Sequence, residues 1–323
     1  RMNRHAIVAD IGGTNARFAT VDLTETPSLA GLQDVDKLRC ADYPDLTALL
    51  TAYLARLPRA ASVREFCICI AGAVEQDEIY MPNRGWTFSQ AAVQQALGRP
   101  LAFINDFTAQ VHSIATLQAA ELSWLGTARP RGKRVFAVVG PGTGLGVGGM
   151  TAAHEAIPSE GGHVGFAPQN AHQAALLGVL WEKLPRVEVE KLISGPGLER
   201  LYWAAARLQG RDASSTAPAI SAAAQSGDPF ARAVLQDFFD ILAAYASDVA
   251  IMLGAVDGVY IVGDMMAKLR PSLDLSRFRH CFDDKDNYQP YCSRIPLALV
   301  SARDTGLRGC WQHLSLQASR QPR

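Results

Sequence analysis

Asp10 and the residues after it combine a carboxylate, glycines, a hydroxyl, an amide and a guanidinium within the stretch DIGGTNARF, which strand-like sequence flanks on both sides. Glycines between two strands let backbone N–H groups come close to an anion. Thr14, Asn15 and Arg17 supply the polar groups that suit phosphate oxygens. Asp10, at the end of the first strand, is able to hold Mg²⁺ through oxygen, directly or through water. An ordinary hairpin with a surface arginine explains this stretch alone equally well.

A second glycine-rich stretch, GPGTGLGVGG, carries Thr143 between glycines and also follows a strand-like sequence. Two such turns could grip one polyphosphate. Gly144, Gly146 and Gly149 also fit the dinucleotide fingerprint GxGxxG, but that fingerprint requires a helix directly after the turn and an acidic residue about twenty positions on. The segment that follows looks extended and soon reaches Pro158, so we disfavour a dinucleotide site. A Walker A sequence is absent.

Asp106 lies in AFINDFTAQ, where an apolar strand meets a predicted helix. Side chains at such a junction face the mouth of a cleft, and a helix N-terminus favours the charged form of a carboxylate. Asp106 is therefore a candidate general base. The competing interpretation is that Asp106 is only the N-cap of the helix.

Glu160 and His163 flank two glycines in PSEGGHVGFAP, and Glu190 stands shortly before LISGPGL. Carboxylate and imidazole groups can bind vicinal hydroxyls, because each hydroxyl needs both an acceptor and a donor. His163 taken alone is more typical of a structural histidine. The HxxxH and HExxH spacings of metal sites are missing, so the pattern indicates a sugar-like ligand rather than a metal cluster.

The composition limits the partners and the compartment. The chain has 323 residues, 48% of them hydrophobic, which predicts two domains. Lys plus Arg and Asp plus Glu both number 31, so no positive surplus attracts nucleic acid or a membrane surface, and a small-molecule partner is favoured.

The six cysteines show no disulfide or zinc spacing. Cys67 and Cys69 are predicted to pack in a core, and reduced thiols indicate the cytoplasm. We find no targeting or membrane-spanning segment.

The polar turns need strands and helices to position them, and periodicity predicts these elements. KLRCADY is a candidate third strand, EFCICIA a buried strand and RIPLALVS the last strand, with a terminal helix from Gly306. Ser89 is the predicted cap of a short helix. The longest predicted helix is Pro229–Leu253, with Asp228 as N-cap and proline in the first helical position. The second half opens like the first, with strand, glycine turn and strand.

The chain resembles the bacterial glucokinases, in the zinc-free branch of the hexokinase, heat-shock-protein and actin superfamily. The resemblance is carried by DIGGTNARF, INDFTA, GPGTGLGVG, EGGHVGFAP and SGPGL in that order, and it extends over nearly the whole chain. It implies an α/β fold, the duplicated actin-like ATPase (ribonuclease H-like) fold, with two domains flanking a cleft. We expect a small domain at residues 1–108, completed by the C-terminal helix at 303–323, and a large domain at 109–302.

The resemblance also implies an activity, the transfer of phosphate from ATP to the 6-hydroxyl of glucose with Mg²⁺, in a possible homodimer. Asp106 would be the base. The residues that would bind glucose are Asn83, Asn105, Asp106, Glu160, His163 and Glu190. The residues that would bind ATP are Asp10, Gly12, Gly13, Thr14, Asn15, Arg17, Gly142, Thr143, Gly144, Gly146 and Gly263. Asp264 departs from the family, which has a double glycine after the adenosine-segment strand.

Two alternatives remain beside a glucose kinase. One is a kinase for another hexose, and the other is a sugar-sensing regulator that keeps the fold without turnover. A DNA-binding regulator would normally carry an added helix-turn-helix, whereas this sequence enters the first phosphate strand almost at once and keeps Asp106, so we favour an enzyme.

Overall fold

The computed structural model describes residues 4–81, 83–132 and 134–320. The chain forms two compact units. Unit 1 comprises Arg1–Ala119 and Ala302–Arg323, and unit 2 comprises Ala120–Ser301. The first crossing between the units lies at Ala119, whereas the sequence led us to place it near residue 108.

Short runs of strands and runs of helices follow one another along the chain. The described strands are β1 (His5–Ile11), β2 (Asn15–Asp22), β3 (Gln33–Arg39), β4 (Val63–Ile70), β5 (Glu78–Met81), β6 (Trp86–Ser89), β7 (Leu101–Asn105), β8 (Leu122–Leu125), β9 (Phe136–Pro141), β10 (Leu145–Met150), β11 (Ala156–Ser159), β12 (Val259–Ile261) and β13 (Leu297–Val300). The described helices are α1 (Leu46–Arg56), α2 (Gln90–Leu97), α3 (Asp106–Ser113), α4 (Ala171–Leu180), α5 (Gly195–Leu208), α6 (Ala217–Gln225), α7 (Pro229–Leu253), α8 (Asp264–Leu269), α9 (Leu275–Asp283), α10 (Gln289–Cys292) and α11 (Thr305–Arg320).

The main sheets of the two units have the same design. In unit 1 the strand order is β3-β2-β1-β4-β7, with β1 antiparallel to β2 and parallel to β4. In unit 2 the order is β11-β10-β9-β12-β13, with β9 antiparallel to β10 and parallel to β12, and β8 is added at the edge beside β13. The predicted duplicated α/β fold is therefore confirmed.

The central strand β1 and the long helix α7 form where their sequences require them. β1 is almost wholly apolar because neighbouring strands and packed helices bury both of its faces. α7 has the predicted bounds: the Asp228 side chain accepts a hydrogen bond from the Ala231 N–H at 2.7 Å, and Gly254 ends the helix with φ of 62°. Ser89 caps α2, as predicted.

Some elements differ from the sequence-based prediction. The third strand is Gln33–Arg39, not KLRCADY, and Cys40–Asp42 form a turn of 3₁₀ helix. This strand is mostly exposed and polar. It forms because it pairs with β2, and no apolar pattern marks it in the sequence. The hairpin of β5 and β6 and the helices α6 and α9 were not predicted. Five of the nine residues of α6 are alanine, which leaves its apolar periodicity faint.

Arg308, on α11, explains why the first crossing lies beyond residue 108. Its guanidinium is fully buried, and Nε donates to Thr116 Oγ1 at 2.9 Å while Nη2 donates to the Thr116 carbonyl at 2.5 Å. Nη1 donates to the Arg303 carbonyl at 3.3 Å. A buried charge must be satisfied by such partners, so the segment through Thr116 is held in unit 1 by the returning C-terminal helix.

A cluster of thiols lies beneath the sheet of unit 1. Cys67 and Cys69 on β4 and Cys310 on α11 are fully buried in one apolar cluster with Ala6 and Val8. The hydrogen bond with Cys310, together with burial, raises the pKa of the Cys69 thiol, and burial raises the pKa of Cys310. The six cysteines are free, and the prediction that Cys67 and Cys69 serve core packing is confirmed.

The contact between α11 and α3 depends on a glycine. A Cβ placed on Gly309 would overlap the carbonyl oxygen of Ala109, so the two helices approach more closely than any side chain permits. Gly178 in α4 is also a helical glycine, but a Cβ there would meet nothing within 4 Å. Replacing each glycine by alanine therefore separates two effects on stability, the steric clash at Gly309 and the gain in helix propensity at Gly178.

We expect Gly309→Ala to destabilise the protein by about 1–3 kcal/mol, because the added methyl group overpacks a backbone contact. Gly178→Ala should instead stabilise it by up to about 1 kcal/mol, since alanine is the better helix former. Thermal unfolding followed by circular dichroism measures both. Equal shifts in the two variants would contradict the role assigned to Gly309.

The buried His112 and the half-buried His313 form a pair in unit 1. Nδ1 of His313 and Nε2 of His112 are 3.3 Å apart, and the rings meet edge to face. Burial, with a smaller contribution from His313, lowers the pKa of His112 from 6.5 to about 3. The neutral imidazole is therefore the form that the folded state accepts.

This pair predicts a loss of stability in acid. The unfolded chain binds the His112 proton below pH 6.5, whereas the folded chain binds it only near pH 3, so stability falls as the pH is lowered through this window. The slope for one proton is about 1.4 kcal/mol per pH unit. His112→Gln should flatten the dependence of the melting midpoint on pH, and the exposed His280→Gln should not. An unchanged slope in the first variant would refute the assignment.

Candidate active site

The first turn, residues 12–14, connects β1 to β2 in unit 1. The Gly12 N–H donates to the Asn15 carbonyl at 3.0 Å, and the Cys40 N–H donates to the Thr14 carbonyl at 2.9 Å. Thr14 is exposed at the tip. A Cβ on Gly13 would lie 2.7 Å from the Cβ of Asn83, so Asn83, which we predicted to bind sugar, lies directly against this turn. The turn is thus fixed at both ends while its polar groups face solvent.

Asp10 lies at the end of β1, opposite Arg17 on β2 and Cys69 on β4. Burial raises the pKa of its carboxyl group; a hydrogen bond from Cys69 acts against this, and the nearby carboxylates of Asp106 and Asp304 reinforce it. A Cβ on Gly306 would overlap the Asp10 carboxylate, so α11 closes over it. Three carboxylates therefore act on one another at this edge of the sheet.

Arg17 forms an ion pair that the sequence did not predict. Its Nη2 lies 2.6 Å from Oδ1 of Asp304, which precedes α11 and adopts the left-handed conformation with φ of 53°. We predicted that Arg17 contacts phosphate, and half of its side chain remains exposed beside the first turn. The only local signal for Asp304 was its place before a helix start, in RDTG.

Asn105 and Asp106 occupy the junction of β7 and α3. Asn105, not Asp106, is the N-cap: its Oδ1 accepts from the N–H groups of Phe107 at 2.8 Å and Thr108 at 3.3 Å. Its Nδ2 donates to the Gly72 carbonyl at 3.0 Å. Asp106 is the first helical residue, exposed, and its Oδ1 also accepts from Phe107 N–H at 2.8 Å. The interpretation of Asp106 as only the N-cap of the helix is therefore wrong, because Asn105 caps it.

The second turn, residues 142–144, connects β9 to β10 in unit 2. The Gly142 N–H donates to the Gly144 carbonyl at 2.8 Å, and Thr143 is exposed at the tip. β10, which includes Gly146, pairs antiparallel with β9, so a strand and not a helix follows the glycines. This geometry excludes the dinucleotide fingerprint, as the sequence indicated.

The loop that carries Glu160 and His163 is held by unit 2. Tyr245 donates its hydroxyl hydrogen to the Gly161 carbonyl at 2.7 Å. Nδ1 of His163 lies 3.0 Å from Glu188, whose hydrogen bond raises the pKa of His163, and in turn His163 lowers the pKa of Glu188. Glu160 and His163 are exposed. Sequence reasoning missed Glu188, which reaches His163 only through pairing of the loop with residues 187–189.

Glu190 and Gly263 both lie beside the second turn. The Leu145 N–H donates to Oε2 of Glu190 at 2.9 Å. Gly263 lies between β12 and α8 with φ of 108°, and a Cβ there would lie 2.9 Å from the Pro141 carbonyl oxygen. Asp264, which departs from the family pattern, is the first residue of α8, where a carboxylate is favourable. Unit 2 thus brings the second turn, Glu190 and the segment at Gly263 together.

Neither a cluster of metal ligands nor a membrane-spanning helix is present among the described residues. No group of three or more His, Cys, Asp or Glu residues in residues 4–81, 83–132 and 134–320 could hold a metal ion. Within the same ranges, no helix is both long enough and apolar enough to span a membrane.

Comparisons with known proteins agree on one family. The chain matches the family model described as Glucokinase over residues 7–317. It is 40% identical over 318 residues to the glucokinase of Chromohalobacter salexigens, which covers 97% of this chain and 98% of that protein. It is 36% identical over 322 residues to the glucokinase of Hahella chejuensis, with coverage of 97% and 98%.

Solved structures give the same result. The crystal structure of a glucokinase from an Antarctic psychrotroph aligns with a TM-score of 0.88 and 32% identity, covering 96% of this chain and 98% of that one. A ROK-family glucokinase from Streptomyces griseus, solved with glucose and AMPPNP, shares the fold with a TM-score of 0.61 and 20% identity, covering 97% and 99%.

Burial of Asp10 predicts a gain in stability when its charge is removed. Since the pKa of Asp10 is raised in the folded state, the carboxylate disfavours folding at neutral pH, and this cost disappears in acid below pH 3.8, where both states are protonated. Asp10→Asn should raise the melting midpoint at pH 7 and raise it less in acid. Asp304→Asn is the control: it should give no such gain, because it removes the partner of Arg17. A midpoint lowered by Asp10→Asn would contradict this account.

Proposed function

The chain belongs to the glucokinase family, and from that premise we propose that it transfers the γ-phosphoryl group of ATP to the 6-hydroxyl of D-glucose. The observation that carries the proposal is the repetition of one hairpin at the same position of both main sheets, each with a threonine at an exposed turn. Phosphoryl transfer needs positioned donors and charge neutralisation more than covalent help, and two such turns supply donors.

Asp106 is the proposed general base. As the bond forms between the 6-oxygen of glucose and the γ-phosphorus, the bond from that phosphorus to the leaving oxygen of ADP breaks. The hydroxyl proton passes to the Asp106 carboxylate. The capping of α3 by Asn105 supports this role, since the neighbouring residue satisfies the helix and leaves Asp106 exposed at a positive helix end.

Sugar recognition is assigned to Asn83, Asn105, Glu160, His163 and Glu190. The pair with Glu188 engages Nδ1 of His163, so Nε2 is the ring nitrogen left for a hydroxyl. Glu160 adds an exposed acceptor in the same loop. Acceptors and donors of this kind discriminate hydroxyl positions, because a missing partner leaves a polar group unsatisfied.

The nucleotide is assigned to the two turns, with Gly12, Gly13, Thr14, Asn15 and Arg17 in unit 1 and Gly142, Thr143, Gly144, Gly146 and Gly263 in unit 2. Mg²⁺ fits the residues present. The Asp10 carboxylate, which offers oxygen to the ion, is repelled by the carboxylates of Asp106 and Asp304, and a divalent cation relieves that repulsion. Asp10 would hold the ion, directly or through water. When bound, Mg²⁺ neutralises charge on the phosphate oxygens.

The setting of the reaction is also part of the proposal. Six free cysteines suit a reducing compartment, which supports the cytoplasm. The assembly we propose is a homodimer, which light scattering of the purified protein would measure. A coupled assay for ADP release across glucose, fructose, mannose and N-acetylated sugars tests the choice of hexose, and turnover with another sugar in preference to glucose would overturn that choice.

We expect Asp106→Asn to lower kcat by about a hundred- to ten-thousand-fold while glucose binding changes little, because the amide keeps the shape but cannot accept the proton. Asp45→Asn is the matched control. Asp45 is also a carboxylate at a helix start in unit 1, where it caps α1, and asparagine caps a helix equally well. Steady-state kinetics and calorimetric titration with glucose measure both variants. A kcat near that of the unmodified protein would remove Asp106 from the mechanism.

A further inference from the structure

We infer that Glu190 holds the second turn in its shape and thereby couples the binding of sugar to that turn. The inference rests on the proposed function, since it takes Glu190 as a ligand of the sugar. It goes beyond that function because it assigns Glu190 a second task toward the part of unit 2 that would bind phosphate.

The carboxylate of Glu190 lies directly on the backbone of the second turn. Its Oε2 accepts the Leu145 N–H at 2.9 Å. A Cβ on Gly144 would lie 2.7 Å from the same oxygen and 3.3 Å from the carboxyl carbon. Gly144 is therefore the residue that makes room for the carboxylate, and the hydrogen bond fixes the start of β10.

The segment after Glu190 is fastened to the same turn. The Gly195 N–H donates to the Gly142 carbonyl at 2.8 Å, and the Ser194 hydroxyl donates to the Glu190 carbonyl at 2.7 Å. Ser194 also caps α5. Because both ends of the segment 190–195 contact the turn, Glu190 cannot move far without moving the turn.

The loop with Glu160 and His163 contacts Leu145, the residue whose N–H Glu190 accepts. A Cβ on Gly162 would overlap the Leu145 carbonyl oxygen, so the loop packs against the first residue of β10. The charges of Glu190 and Glu160 contribute, after the hydrogen bond that His163 donates to Glu188, to the raised pKa of His163. The Glu190 carboxylate is thus near both the proposed sugar loop and the turn.

Glu190 would bind a sugar hydroxyl and also accepts the Leu145 N–H, so the two interactions depend on each other. A sugar hydroxyl bound by Glu190 orients the oxygen that holds Leu145, and a shift of the turn moves the group that binds the hydroxyl. Such a coupling is reciprocal: a change at either end alters affinity at the other. A structural role limited to the turn would leave the affinity for sugar untouched.

The same substitution at two glycines of unit 2 separates these alternatives. Gly144→Ala pushes the new methyl group against the Glu190 carboxylate, whereas a Cβ on Gly178, in α4, meets nothing within 4 Å. Neither glycine has a positive φ, so alanine is permitted at both. With no nucleotide present, calorimetric titration should show glucose affinity weakened about tenfold in Gly144→Ala, the scale of one lost hydrogen bond to a charged group. Gly178→Ala should bind glucose like the unmodified protein.

A second measurement does not depend on the folding of Gly144→Ala. In Glu190→Ala, amide hydrogen exchange of the peptide around residues 141–147 should become faster, while the peptide around residues 10–16 in unit 1 should exchange at the unmodified rate. An unchanged exchange rate at residues 141–147 would overturn the inference that Glu190 fixes the conformation of the second turn.

The titrations distinguish two failures. Glucose binding that Gly144→Ala retains in full, beside normal binding by the unmodified protein, would overturn the coupling alone. Absence of glucose binding by the unmodified protein would overturn the proposed function and the coupling with it.

Discussion

The close packing of α11 on the sheet and on α3 is the constraint on which the rest of unit 1 depends. Gly309 lets the helix approach the Ala109 carbonyl, and one turn earlier Gly306 lets it approach the Asp10 carboxylate. The helix therefore removes solvent from Asp10, which raises its pKa, and it brings Asp304 to Arg17. Residues separated by almost the whole length of the chain become neighbours because neither glycine carries a side chain that would hold α11 away.

Unit 2 repeats the hairpin but solves the placement of charge differently. The penultimate residue of β1 is Asp10, whereas the penultimate residue of β9 is Gly140. The strand end in unit 2 thus has no carboxylate of its own. Glu190 supplies one from a distant segment, and it accepts the first N–H of β10. The two units thus share one backbone frame, and in each the carboxylate comes from a different part of the chain.

Sequence patterns predicted those features whose causes are local. α7 was predicted to the residue because its N-cap, proline and apolar period are all in one segment, and the two turns were found because their groups are adjacent in the chain. Glu188 and Asp304 were missed because their partners, His163 and Arg17, are distant in sequence. The sequence left two interpretations of Asp106 open, general base or N-cap of α3, because either of two adjacent polar residues can accept backbone hydrogen bonds. The structure shows that Asn105 is the cap.

The buried thiols of unit 1 give this packing a chemical signature. Cys67, Cys69 and Cys310 have no exposed surface, and the raised pKa values of Cys69 and Cys310 keep these two as poorly nucleophilic thiols. An alkylating reagent reaches these sulfur atoms only when α11 separates from the sheet. The rate at which these thiols are alkylated therefore reports how often unit 1 opens, and no added label is needed to measure it.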